Sequence, residues 1–218
     1  MATDERSSKE KILKKVRKGL LQKGDPYTQH VDLDTDVFVK EAGELIETFS
    51  GNFHANAGSF SYCFNEFDFV DQFLGLLEEK HWTSVISLEK HFQSLFAHCD
   101  YNLFIKKDEV RIADVGLTGC EALIARTGSV VISSKTNLSR TLSIFPPVHV
   151  VVAYRDNMLY DLKNYFSGVN TNDIQSLPSM ISIISGPSRT SDIEKTLVMG
   201  AHGPKEMYVF YIDQDRTA

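Results

Sequence analysis

The stretch His149-Val150-Val151-Val152-Ala153 determines the fold class that we predict, because it is a short run with almost no polar side chain. A strand of this kind has no polar face for water and is typical of a parallel sheet covered on both faces. Similar runs occur at residues 111–117, 129–133, 180–184 and 207–212, and helical patterns lie between them at 120–126, 158–166 and 192–199. The alternation predicts an α/β fold with a mostly parallel sheet and helices on both faces.

Sequence patterns in the first half of the chain predict further helices and strands. They indicate helices over 37–49, 67–79 and 88–96, with strands over 60–64 and 84–87.

Residues 1–24 contain eight Lys or Arg against three Asp or Glu, and apolar residues recur there at helical spacing: Ile12, Leu13, Val16, Leu20 and Leu21. We expect a basic N-terminal helical arm over 1–35 that docks on a protein surface, followed by one domain over 36–218; attachment to a membrane surface or nucleic acid is the alternative.

Composition limits the function classes. The chain has 218 residues, 42% hydrophobic residues and a net charge of −6, and no apolar run approaches the roughly 20 residues of a transmembrane helix. The polar start predicts no signal peptide and hence a cytoplasmic location. Cys63, Cys99 and Cys120 form no C-x-x-C pair, so we expect neither a metal nor an iron–sulfur cluster bound by this chain alone. No basic groove with aromatic residues indicates a nucleic-acid partner.

The segment after the run 180–184 is the first candidate binding site. Ligands of open parallel sheets bind beyond the carboxyl ends of the strands. Ser191 and Glu194 have the spacing of a capping box, which would place Ser188, Arg189 and Thr190 before a helix N-terminus. Such a site suits a carboxylate or phosphate. The equal alternative is that Ser191 and Glu194 only cap the helix and that Arg189 pairs with a surface acid.

Other strand-to-helix loops provide further candidates. Gly119 permits close approach of a ligand to the backbone. Lys135, Asn137 and Arg140 could complete a polar, cationic crevice, or could equally be a solvated loop. Glu121 would lie in a first helical turn, where complementing the helix dipole is the simpler role, and Cys120 would have a lowered pKa there.

Two weaker candidates should lie elsewhere. Thr127 belongs to a loop at the opposite edge of the sheet, and the helix predicted over 192–199 would carry His202 away from Arg189 to that same edge.

Three segments resemble one known family. These are Gly186-Pro187-Ser188-Arg189-Thr190-Ser191-Asp192-Ile193-Glu194 with Leu197–Pro204 after it, Ile124–Ser129, and Pro146–Val152. In the same order they are similar to the lactate-utilisation protein C (LutC/YkgG-like) family, whose members contain the LUD domain. The family has Glu where Arg126 stands and Thr where Ser129 stands, so no carboxylate role carries over to position 126.

The resemblance implies a fold like that of the NagB, RpiA and CoA-transferase group. It also implies a cluster-free part in bacterial oxidation of L-lactate to pyruvate, together with iron–sulfur partner subunits. It assigns no catalytic residue to this chain. The alternative hypothesis is a stand-alone enzyme or sensor that binds an anionic metabolite, nucleotide or acyl-CoA in the crevice at the strand ends.

Overall fold

A computed structural model of the protein describes residues 8–21, 43–103, 107–135, 141–169, 177–190 and 198–216. The chain divides into two compact units, Met1–Ala42 and Gly43–Ala218. In the first unit, helix α1 (Ser8–Leu21) confirms the predicted basic helix, and the apolar side chains of Ile12, Val16 and Leu20 are exposed. The predicted boundary at residues 35 and 36 lies outside the described residues.

The second unit contains helices and strands along its whole described length. In chain order they are α2 (Leu45–Ala55), β1 (Ser59–Cys63), α3 (Glu66–Lys80), β2 (Val85–Ile86), α4 (Lys90–Ala97), β3 (Val115–Gly119), β4 (Ala122–Ile124), β5 (Ser129–Ser133), β6 (Val148–Tyr154), β7 (Met158–Leu159), α5 (Leu162–Gly168), β8 (Ile181–Ile184), β9 (Arg189–Thr190), β10 (Val198–Met199) and β11 (Glu206–Ile212). Among the described residues, none of the helices has the length and apolar content of a membrane-spanning segment.

A five-stranded sheet in the order β1-β11-β6-β3-β2 forms the centre, and each neighbouring pair is parallel. Side chains alternate between its faces, as in any strand. Val150 and Phe210 face phenylalanines of α3 and α4, namely Phe69, Phe73, Phe92 and Phe96. Val151 and Val209 face Phe49 and Phe53 of α2 and side chains of β4 and β5. The predicted α/β class, with a mostly parallel sheet and helices on both faces, is confirmed.

A second sheet, in the order β7-β4-β5-β8, was not predicted. Its β4–β5 and β5–β8 pairs are antiparallel, and only β4–β7 is parallel. The helix expected over 120–126 is therefore wrong, because residues 122–124 pair with β5 and a 3-10 turn at Ala125–Thr127 joins the two strands. Residues 158–159 are also a strand, and α5 begins only at Leu162, after the N-cap Asp161.

Three further predictions need correction at their ends. The helix expected over 192–199 is wrong at residues 198–199, which pair with β9, and 192–197 lie outside the described residues. Helix α2 begins at Leu45, so residues 43–44 of the range 37–49 are not helical, and 37–42 are not described. The strand expected over 111–117 begins only at Val115. The residue before it, Asp114, accepts hydrogen bonds from the backbone N–H groups of Thr83 and Ser84.

Gly128 fixes the β4–β5 turn against α2. Its φ is +57°, and a Cβ at this position would lie 2.4 Å from the backbone nitrogen of Phe53. Asn52 of α2 donates to the carbonyl oxygens of Ala125 and Arg126 at 3.0 and 3.1 Å. The turn and the helix can approach this closely only because residue 128 has no side chain.

We predict that Gly128→Ala lowers the free energy of unfolding by more than about 2 kcal/mol, since left-handed backbone and a backbone clash both oppose the new Cβ. The control is Gly51→Ala in α2, where no atom lies within 4 Å of the added Cβ. That change should raise stability by about 0.5–1 kcal/mol. Urea unfolding measures both, and equal effects of the two substitutions would contradict the packing described here.

Candidate functional site at the carboxyl edge of the sheet

The carboxyl ends of β1, β2 and β6 bring together a glutamate, a histidine and a tyrosine. Glu66 begins α3, His91 lies in the first turn of α4, and Tyr154 is the last residue of β6. The Tyr154 hydroxyl donates to Glu66 Oε1 at 2.6 Å. His91 Nε2 lies 2.8 Å from the Tyr154 hydroxyl oxygen and 3.0 Å from Glu66 Oε1. Each of these three side chains therefore contacts the other two.

Burial and the hydrogen bond to Glu66 raise the pKa of Tyr154 above its ordinary value. The phenol consequently stays protonated at physiological pH and serves as a hydrogen-bond donor.

Glu89 is a half-buried carboxyl group at the same edge. It is the residue before α4, and its Oε1 accepts a hydrogen bond from the Gly119 backbone N–H at 2.7 Å. Burial raises the pKa of Glu89 to about 7, although the Gly119 hydrogen bond and the charge of Arg216 act in the opposite direction. A carboxyl group with such a pKa can both release and accept a proton near neutral pH.

Arg216 contributes a positive charge beside these groups. It follows β11, is exposed, and its guanidinium carbon lies 5.9 Å from the centre of the Tyr154 ring. The preceding segment is fixed to the end of β6, because Arg155 Nε donates to Asp213 Oδ1 at 2.9 Å and the Arg155 backbone N–H donates to the Gln214 carbonyl oxygen at 3.0 Å.

We call Glu66, Glu89, His91, Tyr154 and Arg216 the carboxyl-edge cluster. Its guanidinium can pair with the carboxylate of a small ligand, and its phenol can donate a hydrogen bond to a neighbouring ligand oxygen. Glu89 has the pKa of a general acid or base. Among the described residues, no three His, Cys, Asp or Glu side chains are grouped to hold a metal ion. The arrangement therefore suits proton transfer on a small organic anion.

Two of the predicted site residues lie at this edge. Gly119 ends β3, and a Cβ there would lie 3.0 Å from Glu89 Oε2, so the glycine permits the close approach of that carboxylate. Glu121 lies two residues on, where the hydroxyl groups of Ser133 and Tyr165 donate to its two carboxylate oxygens. The expected helix-dipole role of Glu121 is wrong, because β4 follows it rather than a helix.

The prediction of a lowered pKa for Cys120 is also wrong. No helix begins at this residue, and its thiol is almost fully buried. Burial, with a further contribution from the nearby Glu89 charge, raises the pKa of Cys120 well above its ordinary value. The thiol is therefore protonated and unreactive at neutral pH.

Ser188, Arg189 and Thr190 lie at the opposite end of the parallel sheet. The Ser188 N–H donates to the Pro204 carbonyl oxygen, and the Lys205 N–H donates to that of Pro147, next to the starts of β6 and β11. The expected location at the carboxyl edge is wrong, because the strand before them, β8, belongs to the second sheet. The seven residues of β6 separate the two edges by roughly 20 Å. Anion binding by Arg189 stays a prediction, but at a place separate from Gly119 and Glu121.

The remaining candidates fall in different places. His202 was expected far from Arg189, yet β9 pairs with β10, and the Gly200 N–H donates to the Ser188 carbonyl oxygen. His202 therefore lies three residues after Met199, which pairs with Arg189, and the His202 side chain is exposed. The hydroxyl of Thr127 accepts a hydrogen bond from Ser129 in the β4–β5 turn. Asn137, Arg140 and Ser191 lie outside the described residues.

Most of the carboxyl-edge cluster was missed in the sequence. Glu66 and Glu89 each follow a strand that the sequence did predict, so applying the strand-end rule to the first half would have found them. Tyr154 follows directly on the apolar run of β6. No local pattern in the sequence indicates Arg216.

Comparison with known proteins relates part of the chain to a family. Residues 105–212 match the LUD domain model. The chain is 33% identical over 113 residues to lactate utilization protein C of Bacillus subtilis, covering 50% of this chain and 46% of that protein. It is 37% identical over 105 residues to an uncharacterized protein of Neisseria meningitidis serogroup B, covering 48% and 45%. The chain thus spans about half the length of these relatives.

A crystal structure of a DUF162 family protein from Deinococcus radiodurans is also similar. The match covers 77% of this chain and 96% of that one, with a TM-score of 0.44 and 16% sequence identity.

The fold and the carboxyl-edge cluster define an α/β protein whose candidate ligand site lies at the ends of parallel strands. Residues 105–212 of this chain belong to the LUD domain family, which confirms the resemblance found in the sequence.

We predict that Glu89→Gln stabilises the protein at pH 8 but not at pH 5. Glu89 has a folded pKa of about 7 against an ordinary value of 4.5, so its stabilising contribution is present below 4.5 and is lost as the pH rises through 7. Glutamine carries no charge and still accepts the Gly119 hydrogen bond. The gain at pH 8 should be on the order of 3 kcal/mol at most.

Thermal unfolding at both pH values measures this difference, with the exposed Asp71→Asn as the control. A gain for Glu89→Gln that is the same at pH 5 and pH 8 would show that burial does not raise the pKa of Glu89.

Proposed function

We propose that this chain is a component of an L-lactate utilisation system, in which it binds lactate or pyruvate at the carboxyl-edge cluster. The observation that carries the proposal is the LUD domain match, together with the lactate utilization protein C relatives, whose alignments cover about half of the chain. The ligand class agrees with the site, because a 2-hydroxy or 2-oxo acid has a carboxylate and a neighbouring oxygen.

The oxidation of L-lactate to pyruvate releases two protons and two electrons. In our proposal the ligand carboxylate pairs with Arg216, and the oxygen on the second carbon accepts a hydrogen bond from Tyr154. Glu89, in its ionised form, takes the hydroxyl proton of lactate, and the C2–H bond breaks so that its proton passes to water and its two electrons pass to the clusters of the partner subunits. Its pKa near 7 supports this role, because both of its protonation states are populated at neutral pH.

The proposal assigns the electron-accepting iron–sulfur clusters to partner subunits. Cys63 and Cys120 are buried and Cys99 is half-buried, and none of the three is joined to another cysteine. Three separate thiols of this kind support a cytoplasmic location and give the chain no cluster-binding set of its own. Helix α1, with exposed apolar side chains and an excess of lysine, would be a docking element for such a partner.

Growth and binding measurements test the proposal. A strain without this gene and without another lactate oxidase should fail to grow on L-lactate, and the wild-type gene should restore growth. The tagged protein should copurify with iron-containing subunits. Arg216→Gln should weaken pyruvate binding about tenfold or more in calorimetry, because it removes a charge-assisted contact, and it should not restore growth.

Arg189→Gln is the matched control, since Arg189 is also exposed but lies at the opposite edge of the sheet. It should bind pyruvate and support growth like the wild type. Normal growth of the deletion strain on L-lactate would contradict the proposal. If only Arg189→Gln loses pyruvate binding, the ligand site is at the other edge.

A further inference from the structure

A pocket of about 520 Å³ lies between α5 and the second sheet. Leu159, Val169, Leu177 and Pro178 form its apolar walls, and Glu121, Lys135 and Tyr165 supply charged and polar groups. This volume is within the range of ordinary small-molecule sites and is several times larger than lactate needs. The cluster proposed to bind lactate contributes none of these residues, so the pocket is a different site.

The Glu121 carboxylate is oriented by hydrogen bonds and has no ion-pair partner in the described part of the chain. The hydroxyls of Ser133 and Tyr165 donate to its two oxygens, while Asn157 donates to its backbone carbonyl oxygen at 3.3 Å. No basic side chain among the described residues forms an ion pair with it. A carboxylate that is fixed in this way in a largely apolar pocket is suited to a cationic group of a ligand.

Lys135 supplies the opposite charge in the same pocket. Its backbone N–H donates to Ser133 Oγ at 3.0 Å, which fixes the start of its side chain beside the Glu121 partner. The side chain is exposed, and in the described part of the chain its ammonium group has no acidic partner. The pocket therefore presents one carboxylate, one ammonium group and an apolar wall.

We propose that this pocket binds an apolar zwitterion, namely an α-amino acid with a large hydrophobic side chain. Its ammonium group pairs with Glu121, its carboxylate pairs with Lys135, and its side chain packs on Leu159 and Val169. This inference does not depend on the role in lactate utilisation, because the two ligands and the two sets of residues differ.

Calorimetry with L-phenylalanine tests the proposal on the full chain. L-phenylalanine should bind, whereas N-acetyl-L-phenylalanine, which has no ammonium group, and phenethylamine, which has no carboxylate, should bind at least about tenfold more weakly. Glu121→Gln and Lys135→Gln should each weaken L-phenylalanine binding by a similar factor. The exposed Glu79→Gln should leave it unchanged.

A pocket-filling variant and a folding control complete the test. Val169→Trp should fill the pocket and abolish binding, while circular dichroism confirms that each variant retains a cooperative unfolding transition. The absence of L-phenylalanine binding to the wild type up to about 10 mM would overturn the proposal. So would equal binding of the acetylated compound, or unchanged affinity in folded Glu121→Gln.

Discussion

Strand β6 is enclosed on every side, and the rest of the domain is arranged around that constraint. Its backbone pairs with β11 along one edge and with β3 along the other, and all seven of its residues are buried. The strand sequence can be this apolar only where both faces of the sheet are covered. Helices α3 and α4 cover one face, while α2 and the second sheet cover the other. A ligand can therefore approach the strand only at its ends.

The two ends of β6 carry different chemistry. At the carboxyl end, Tyr154 contacts Glu66 and His91, with the half-buried Glu89 nearby. At the amino end, Pro147 accepts backbone hydrogen bonds from Lys205 and Glu206, and the segment that contains Arg189 passes close by. A carboxyl group whose pKa is raised by partial burial lowers stability above that pKa, which is more easily explained by a function than by folding. The carboxyl end is therefore the stronger candidate site.

The strands of the central sheet could be predicted because each is a local pattern of apolar residues. The second sheet could not, because β4 and β7 have only three and two residues, and β7 pairs with β4, which lies far from it in the sequence. In such short apolar runs, periodicity does not separate a strand from a helix. The resulting error at 120–126 also misplaced Glu121 in a helical turn.

Beside the candidate site, Gly119 was predicted because a strand end and a glycine coincide there, and the same strand-end rule would also have indicated Glu66 and Glu89. The strand order β1-β11-β6-β3-β2 brings together residues that are far apart in sequence, such as Glu66 and Tyr154. No local sequence pattern indicates this order. Arg189 was favoured because its local sequence signature is strong. The strand before it, β8, belongs to the second sheet, so that signature did not indicate its position.

The central claim is that the carboxyl ends of the parallel strands form the ligand site. Backbone amide chemical shifts, measured by NMR during a titration with pyruvate, test it most directly. The account predicts that the amides of Gly119 and Tyr154 shift with a common saturation curve while those of Ser188 and Thr190 do not. Saturable shifts confined to Ser188 and Thr190 would contradict it.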